Sequence, residues 1–211
     1  VAGFNLLNGR IDNQQFDNLA GQKGALKSSS IDSSRNTSVY VEDSFYFLPN
    51  VAAVAGTQFL YATRNRQDRF LSDGDQSGRT EFNLWSPKGG LLWQIDPTWQ
   101  AYANVSRSAE VPSFGESAMD FGIPFTSIRP QRATTYEIGT RGKRPDFTWE
   151  LTAYRAEIKN ELLCFYSVYG DCKVTNADRT MHQGIEAGAG AAIVRNLFVR
   201  GDRPDKLWLN V

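Results

Sequence analysis

Residues 91–106 read LLWQIDPTWQAYANVS, two short runs of alternating polar and apolar residues on either side of an Asp96-Pro97 turn. Trp93 lies just before the turn and Trp99 just after it. Alternation with a period of two is typical of a β-strand with one apolar and one polar face, and an Asp-Pro pair is typical of a turn. The stretch therefore predicts a β-hairpin that carries a large aromatic side chain on each strand beside the turn.

The same alternation recurs along the chain, and no segment has the periodicity of an amphipathic helix. Near the start, Val39 and Val41 fall on one face of a strand, and Tyr40 and Glu42 on the other. The pattern predicts about eight strands, over residues 36–47, 51–69, 82–95, 99–108, 132–142, 147–163, 174–193 and 206–211. Pro87 is expected at an irregularity, because proline cannot donate to the hydrogen-bond ladder of a sheet.

The predicted connections alternate between short and long. Short turns fall at residues 48–50, 96–97 and 143–146, and longer loops around residues 72–79, 109–130 and 166–173. Strands joined in this way form an antiparallel up-and-down meander whose two ends differ. Outer-membrane β-barrels have this asymmetry, with short periplasmic turns and long external loops. We therefore predict an all-β chain of the transmembrane β-barrel class.

Large aromatic residues concentrate near the short turns. They are Phe47, Trp93, Trp99, Trp149 and, at the start of the last predicted strand, Trp208. Aromatic rings with a polar edge collect where a membrane meets water, so we expect these residues to form a girdle at one rim of the barrel. The alternative is a β-sandwich with a dry aromatic core. The position of the aromatic residues at one end of the strands, rather than in the middle, favours the barrel.

Charged residues occupy the other face of the long strands. They are Glu137, Arg141, Glu150 and Glu186. A charge in a dry core is costly unless it is paired, whereas the same charge in a water-filled lumen is not. We therefore expect these four residues to face the lumen.

Composition excludes several other classes of function. The 211 residues include 23 basic and 23 acidic residues, a balance that does not suggest a nucleic-acid-binding protein. No run of about 18 apolar residues exists, so no transmembrane helix is expected. The N-terminus lacks both an initiator Met and a signal peptide, which indicates a mature or truncated product. His182 is the only histidine, so we expect no transition-metal cluster, no cofactor and no enzymatic activity.

The chain contains two cysteines, Cys164 and Cys172, in the segment CFYSVYGDC. A small loop closed by a disulfide between them fits an oxidising compartment. Two free thiols are the alternative.

Four segments in order resemble the barrel region of TonB-dependent outer-membrane receptors, and most of all the ferric-siderophore receptor branch. The segments are NTSVYVEDSF, FNLWSPKGGLLWQIDPTWQAYANVSRSAEVPSFGE, RPQRATTYEIGTRGKRPDFTWELTAYRAEIKNELL and VTNADRTMHQGIEAGAG. The resemblance covers roughly residues 36–211 and implies a barrel of about 22 strands around an N-terminal plug. Residues 1–211 would then be an interior fragment of the barrel domain, without the plug domain or the terminal strands.

The resemblance also implies where ligand binds, because such receptors use the external loops and the upper inner wall. The residues that it places there are Arg107, Phe114, Phe121, Phe125 and Arg129 in one long loop, and Tyr166, Tyr169 and Arg179 in the next. Arginine and aromatic side chains suit an anionic, aromatic iron chelate. Ordinary loop packing and rim salt bridges are the alternative for each of them.

The sequence therefore predicts the wall of a receptor that takes up a ferric siderophore or other metal chelate across the bacterial outer membrane. Its partners would be the chelate, the lipid bilayer and, through the plug, the TonB energy-transducing complex, with no nucleic acid. A complete small outer-membrane barrel with a structural or adhesin role is the first alternative. An outer-membrane enzyme and a soluble β-sandwich binding module are the others.

Overall fold

The computed structural model describes residues 1–117, 128–166, 172–196, 198–199 and 205–211. Within these residues, nine strands form one antiparallel sheet in which the spatial order is the chain order. The strands are β1 (Ala2–Leu19), β2 (Gln22–Leu48), β3 (Val51–Asp68), β4 (Gly78–Asp96), β5 (Trp99–Glu110), β6 (Gln131–Arg144), β7 (Phe147–Tyr166), β8 (Cys172–Arg195) and β9 (Lys206–Asn210). The predicted all-β meander is confirmed.

Helical structure is minor in the described part of the chain. A 3₁₀ turn covers Leu71–Asp73, and a single helix, α1, covers Phe114–Ser117. Among the described residues, no helix is long and apolar enough to cross a membrane.

The sequence pattern missed β1 and the first half of β2. These strands pair from Ala2 with Val41 to Leu19 with Gln22, around a turn in which Ala20 and Gly21 both have positive φ. Their side chains are mostly polar, and those of β1 are mostly exposed, so the alternation of apolar residues is weak. Backbone hydrogen bonds to the neighbouring strand, rather than burial of an apolar face, hold this hairpin together.

The register gives the sheet two different faces, because residues paired across antiparallel strands point to the same side. One row runs from β2 to β8 through Phe45, Ala53, Leu91, Ala103, Ile138, Ala153 and Ile185. We call this side the apolar face. The adjacent row runs through Ser44, Val54, Gly90, Asn104, Glu137, Tyr154 and Gly184. We call that side the polar face.

The apolar face is exposed in the isolated chain. Phe45 is 68% exposed, Ile138 64% and Ile185 75%. An exposed apolar surface of this extent is characteristic of a protein–membrane or protein–protein contact. In a soluble protein the large apolar side chains are buried. Along most of this sheet they are exposed instead.

Buried apolar side chains form one small cluster on the polar face, near the long loops. Ala62, Phe82 and Leu84 are its buried members, and Val111 packs against them. Arg64 in the same region donates from Nε to the carbonyl oxygen of Pro112 at 3.1 Å. The first residues of the β5–β6 connection therefore lie over the polar face of β3 and β4.

The ladder between β4 and β5 ends halfway along β4. Its last pair is Lys88 with Ser106, although β4 continues back to Gly78 and β5 continues to Glu110. Pro87 comes next in β4 and has no N–H with which to extend the ladder. The predicted irregularity at Pro87 is thus located, and it marks where β4 and β5 separate.

Aromatic rings cluster at the short-turn end of the apolar face. The Trp149 ring stacks on Phe147, with centroids 5.6 Å apart, and meets Trp99 edge-on at 6.5 Å. Trp99 and Trp149 both pair with Gly142. Phe47 and Trp93 lie at the same end, beside the turn that follows β2 and the turn that follows β4. Their role as a membrane girdle stays a prediction.

Trp208 does not belong to this group, contrary to the prediction. It pairs with Ala192, and the neighbouring residue Ala191 is the one that pairs with Phe147 on the apolar face. Because successive residues of a strand point to opposite sides, Trp208 lies on the polar face. Proximity to a turn was insufficient to assign its face, since a shift of one residue in register reverses the side.

Gly142 gives room to the Trp149 ring, because a Cβ at this position would overlap the indole. We expect Gly142→Ala to displace Trp149 from Phe147 and to cost about 1 kcal/mol, the range of an aromatic pair. Fluorine NMR of fluorotryptophan-labelled protein, together with urea unfolding, measures both effects. Gly89→Ala is the matched control on the same face, because its Cβ would meet nothing nearer than 3.9 Å. An unmoved Trp149 resonance in Gly142→Ala would contradict the packing.

The β4–β5 turn is held by the Asp96 carboxylate, which accepts hydrogen bonds from the Thr98 backbone N–H at 2.6 Å and the Thr98 hydroxyl at 2.7 Å. The hydrogen bond from the Thr98 hydroxyl is the larger cause, and that from the Thr98 N–H the second, of a pKa of Asp96 below its ordinary value. The stabilisation is therefore complete above the ordinary pKa of aspartate and is lost as the pH falls through the lowered folded-state value.

We expect Thr98→Ala to raise the pKa of Asp96 toward its ordinary value, so that the loss of stabilisation on acidification moves to higher pH. A carboxyl-carbon NMR titration of Asp96 measures the shift. The same titration midpoint in wild type and Thr98→Ala would show that the Thr98 hydroxyl does not stabilise the charged form of the Asp96 carboxylate.

Candidate ligand-binding wall

A network of charged and polar side chains crosses the middle of the polar face. Lys88 on β4 forms an ion pair with Glu42 on β2. On the adjoining strands, Asn104 Nδ2 donates to Glu137 Oε2 at 2.6 Å, and Arg141 Nε donates to Gln100 Oε1 at 3.1 Å. These three pairs lie within five consecutive strands, β2 to β6, and we refer to them together as the charged network.

These side chains line an open depression of about 430 Å³. Its lining residues include Glu42, Lys88, Tyr102, Asn104, Glu137 and Arg141. The guanidinium of Arg141 lies 5.7 Å from the centroid of the Tyr102 ring, and the Tyr102 hydroxyl is hydrogen-bonded to Thr152 at 2.7 Å. Two cations and two carboxylates beside an aromatic ring can bind a polar ligand through ionic hydrogen bonds and ring contact.

The structure brings the four predicted lumen residues onto one face. Glu137 and Arg141 line the depression, and Glu150 is the register partner of Arg141. Glu186 lies one strand further along, paired with Thr152. That this polar face lines a barrel lumen stays a prediction.

The most buried ion pair lies nearer the long loops. Arg66 Nε and one terminal nitrogen donate to the two carboxylate oxygens of Asp32, each at 2.8 Å. The side chains are only 15% and 5% exposed. Such a bidentate pair fixes the relative position of β2 and β3 at the long-loop end of the sheet.

The described ends of the β5–β6 connection are anchored at two places. Pro112 receives the hydrogen bond from Arg64, and Arg129 is bound through its backbone N–H and carbonyl to the side chain of Asn176 on β8, at 2.8 Å each. Phe114 lies in α1, next to Ser113, whose backbone N–H donates to the Glu116 carboxylate. The connection therefore bridges β3 and β8 at the long-loop end of the sheet.

Six predicted ligand-binding residues lie at the long-loop end or outside the described part of the chain. Phe114, Arg129 and Tyr166 lie at the long-loop end, and Tyr166 is 76% exposed at the end of β7. Phe121, Phe125 and Tyr169 lie outside the described residues.

The prediction was wrong for Arg107 and Arg179, which are not loop residues. Arg107 lies in β5 and pairs with Thr134, two residues from Tyr136 on the apolar face. Arg179 lies in β8 and pairs with Lys159. Alternation along the strands directs both side chains to the apolar face, away from the polar wall.

Sequence reasoning missed Lys88, Glu42 and Asn104 as members of the charged network. The signal available was whether each residue occupies an odd or an even position in its strand, because alternate positions point to opposite faces of the sheet. This alternation does not reveal the partner on another strand, because the partner depends on the register between strands.

Two further predicted features lie at the long-loop end of β7 and β8. Cys164 is disulfide-bonded, and no free cysteine occurs among the described residues. The pairing with Cys172 stays a prediction. His182 Nε2 lies 3.2 Å from the Glu161 carboxylate, an arrangement that uses the histidine in a contact between strands. No group of three or more histidine, cysteine or acidic side chains suited to a metal ion occurs in the part of the chain that the structure describes.

The model of the family described as "TonB dependent receptor-like, beta-barrel" matches residues 2–209. The chain belongs to this family. Its sheet resembles solved structures of the ferric yersiniabactin uptake receptor FyuA from Yersinia pestis (TM-score 0.69, 15% identity, 92% of this chain and 29% of that one). It also resembles the ferric citrate transporter FecA (TM-score 0.71, 18% identity, 91% and 29%) and the copper transporter OprC (TM-score 0.66, 16% identity, 90% and 33%).

At these identities the likeness concerns the fold. The chain spans about a third of the length of these receptors and transporters. Their cargoes differ, since the three are described for ferric yersiniabactin, ferric citrate and copper. Membership of the family therefore identifies the class of protein but does not identify the cargo.

We expect Asp32→Ala to destabilise the protein by about 3 kcal/mol, because it leaves the Arg66 guanidinium largely buried without its partner. The double variant Asp32→Ala/Arg66→Met should recover most of that loss. Urea unfolding of the four members of the cycle measures the coupling. Arg79→Ala is the control, since its exposed pair with Glu81 should contribute little. Additive losses in the double variant would exclude a coupled pair.

Proposed function

We propose that this chain forms part of the barrel wall of a TonB-dependent receptor in the bacterial outer membrane. The cargo is a ferric siderophore or a similar metal chelate. The observation that carries the proposal is the two-sided sheet, with a charged network across β2 to β6 on one face and an exposed apolar surface on the other. Family membership supports the same arrangement.

The apolar face lies against lipid in this proposal, and the polar face lines the interior. The backbone N–H and C=O groups of each strand within the sheet are hydrogen-bonded to the neighbouring strands. A wall that faces lipid therefore needs no polar side chains on its outer face. The alternating connections then place the short turns on the periplasmic side and the longer loops outside the cell.

The polar wall contributes ligand contacts rather than bond chemistry. Arg141 and Lys88 offer donors to the carboxylate or catecholate oxygens of a metal chelate, and the Tyr102 ring offers a flat surface to its aromatic parts. Glu42 holds Lys88 in place through their ion pair, and Gln100 holds Arg141 through the hydrogen bond from its Nε. Bound cargo then passes inward when a plug domain is displaced through the TonB energy-transducing complex.

A complete small barrel with a structural or adhesin role fits less well. Such a barrel closes its sheet, whereas in the described sheet β1 pairs with β2 alone and β9 with β8 alone. Two open edges are expected of a segment that continues into further strands on both sides. The solved receptors that the chain matches are about three times as long, which agrees with this reading.

The matched pair Arg141 and Arg132 tests the proposal, because both lie on β6 but on opposite faces. In the full-length receptor, we expect Arg141→Ala to weaken binding of the ferric chelate about tenfold, the effect of losing a hydrogen bond from a charged group. Arg132→Ala should leave chelate binding unchanged.

Uptake of radiolabelled iron chelates by a receptor-deletion strain carrying each variant measures the outcome. A panel of citrate, catecholate and phenolate chelates identifies the cargo class. Wild-type uptake by Arg141→Ala across the panel, or no uptake of any chelate by the wild-type receptor, would contradict the proposal.

A further inference from the structure

A row of cations crosses three strands at the long-loop end of the apolar face. Arg132 on β6 pairs with Lys159 on β7, and Lys159 pairs with Arg179 on β8. All three are exposed, and none has an acidic side chain within salt-bridge distance among the described residues. Like charges directly opposite one another destabilise a sheet. Within the described part of the chain, the row therefore has no negative charge to stabilise it.

The row borders a groove of about 650 Å³ on the same face. The charged residues that line the groove are Arg107, Arg132, Arg155, Lys159, Arg179 and one acid, Glu157. Glu157 already forms an ion pair with Arg155, at 2.8 Å. The groove thus holds four cations beyond its single internal ion pair, next to strands that are otherwise apolar on this side.

The height of the row along the sheet matches one boundary of a bilayer. The tryptophans at the short-turn end lie at the level of Gly142, and Arg132 is ten residues further along β6. Ten residues of a strand span roughly 33 Å, and a tilt of about 40° reduces this to a height of about 25 Å. An outer-membrane apolar band has about this height. With the aromatic residues at one interface, the row therefore lies at the other.

Apolar side chains also line the groove, next to the cations. Trp85 is 62% exposed and Met181 52% exposed, and both line the groove. Met181 shares a row with Glu157, immediately below the cations. A ligand with an anionic head at the level of the cations and hydrocarbon chains along the apolar face would satisfy both parts of the surface.

We propose that this groove binds the phosphate group of a lipid headgroup in the outer leaflet. The inference rests on the proposed function, since that orients the apolar face toward lipid. Arginine forms paired hydrogen bonds with phosphate oxygens, and three arginines with one lysine converge on the site. The bound phosphate relieves the repulsion between Arg132, Lys159 and Arg179 and so stabilises the packing of β6, β7 and β8.

The test uses the full-length receptor in nanodiscs of phosphatidylcholine, with or without lipid A, a phosphorylated glycolipid. Native mass spectrometry measures retention of the lipid. Each cation near an anionic surface strengthens binding by about fivefold, so Arg132→Gln/Lys159→Gln/Arg179→Gln should weaken lipid A binding about a hundredfold. Arg141→Gln, on the polar face of the same strand, should bind lipid A as the wild type does.

Thermal unfolding gives a readout that does not depend on the triple variant alone. Lipid A should raise the Tm of the wild-type receptor, and the rise should shrink as the salt concentration increases. Dephosphorylated lipid A should raise it less. No rise with lipid A, or an equal rise with the dephosphorylated lipid, would overturn the inference.

The source of the phosphate is decided by competition. Inorganic phosphate that displaces lipid A at equal concentration would show a site for a free anion and would also overturn the inference. Chelate uptake separates the two proposals: the triple variant should transport iron as the wild type does. Unchanged lipid A binding in the triple variant overturns this inference alone, whereas unchanged uptake in Arg141→Ala contradicts the proposed function alone.

Discussion

Every feature of this protein depends on the register of a continuous antiparallel ladder. In a bilayer each backbone N–H and C=O must find a partner inside the protein, and a sheet meets this requirement only through neighbouring strands. Six consecutive pairings carry one row of residues from Phe45 on β2 to Ile185 on β8 without a break. Because the side-chain period is two, that single register also assigns every side chain of these strands to the apolar or the polar face.

The division into two faces connects the fold to the proposed transport function. The polar face gathers the ion pair between Lys88 and Glu42 and the polar contacts of Glu137 and Arg141 around one depression. A charged wall of this kind is tolerated only beside water, and an apolar face of this extent is tolerated only beside lipid or another protein. The long-loop end adds buried polar contacts, in which Arg64 holds the start of the β5–β6 connection over the sheet and the Asp32–Arg66 pair joins β2 to β3.

The structure also changes how individual cations are understood. Arg107 and Arg179 suit an anionic chelate by residue type, but the register turns them to the apolar face, beside Arg132 and Lys159. The polar hairpin of β1 and β2 could not be found by apolar alternation, since its stability comes from backbone pairing. In contrast, the Asp96-Pro97 turn and the face shared by Glu137 and Arg141 follow from local pattern alone, because turn chemistry and alternation act over only a few residues.

The sequence by itself determined the all-β class, the two-sided strands and the position of Trp93 and Trp99 beside the Asp96-Pro97 turn, since each is a property of residues close together along the chain. The tertiary structure alone decided which strands pair and which residues meet across strands. Those outcomes depend on register between distant segments. A slip of one residue reverses every side chain of a strand, and Trp208, which pairs with Ala192 on the polar face, shows the size of that effect.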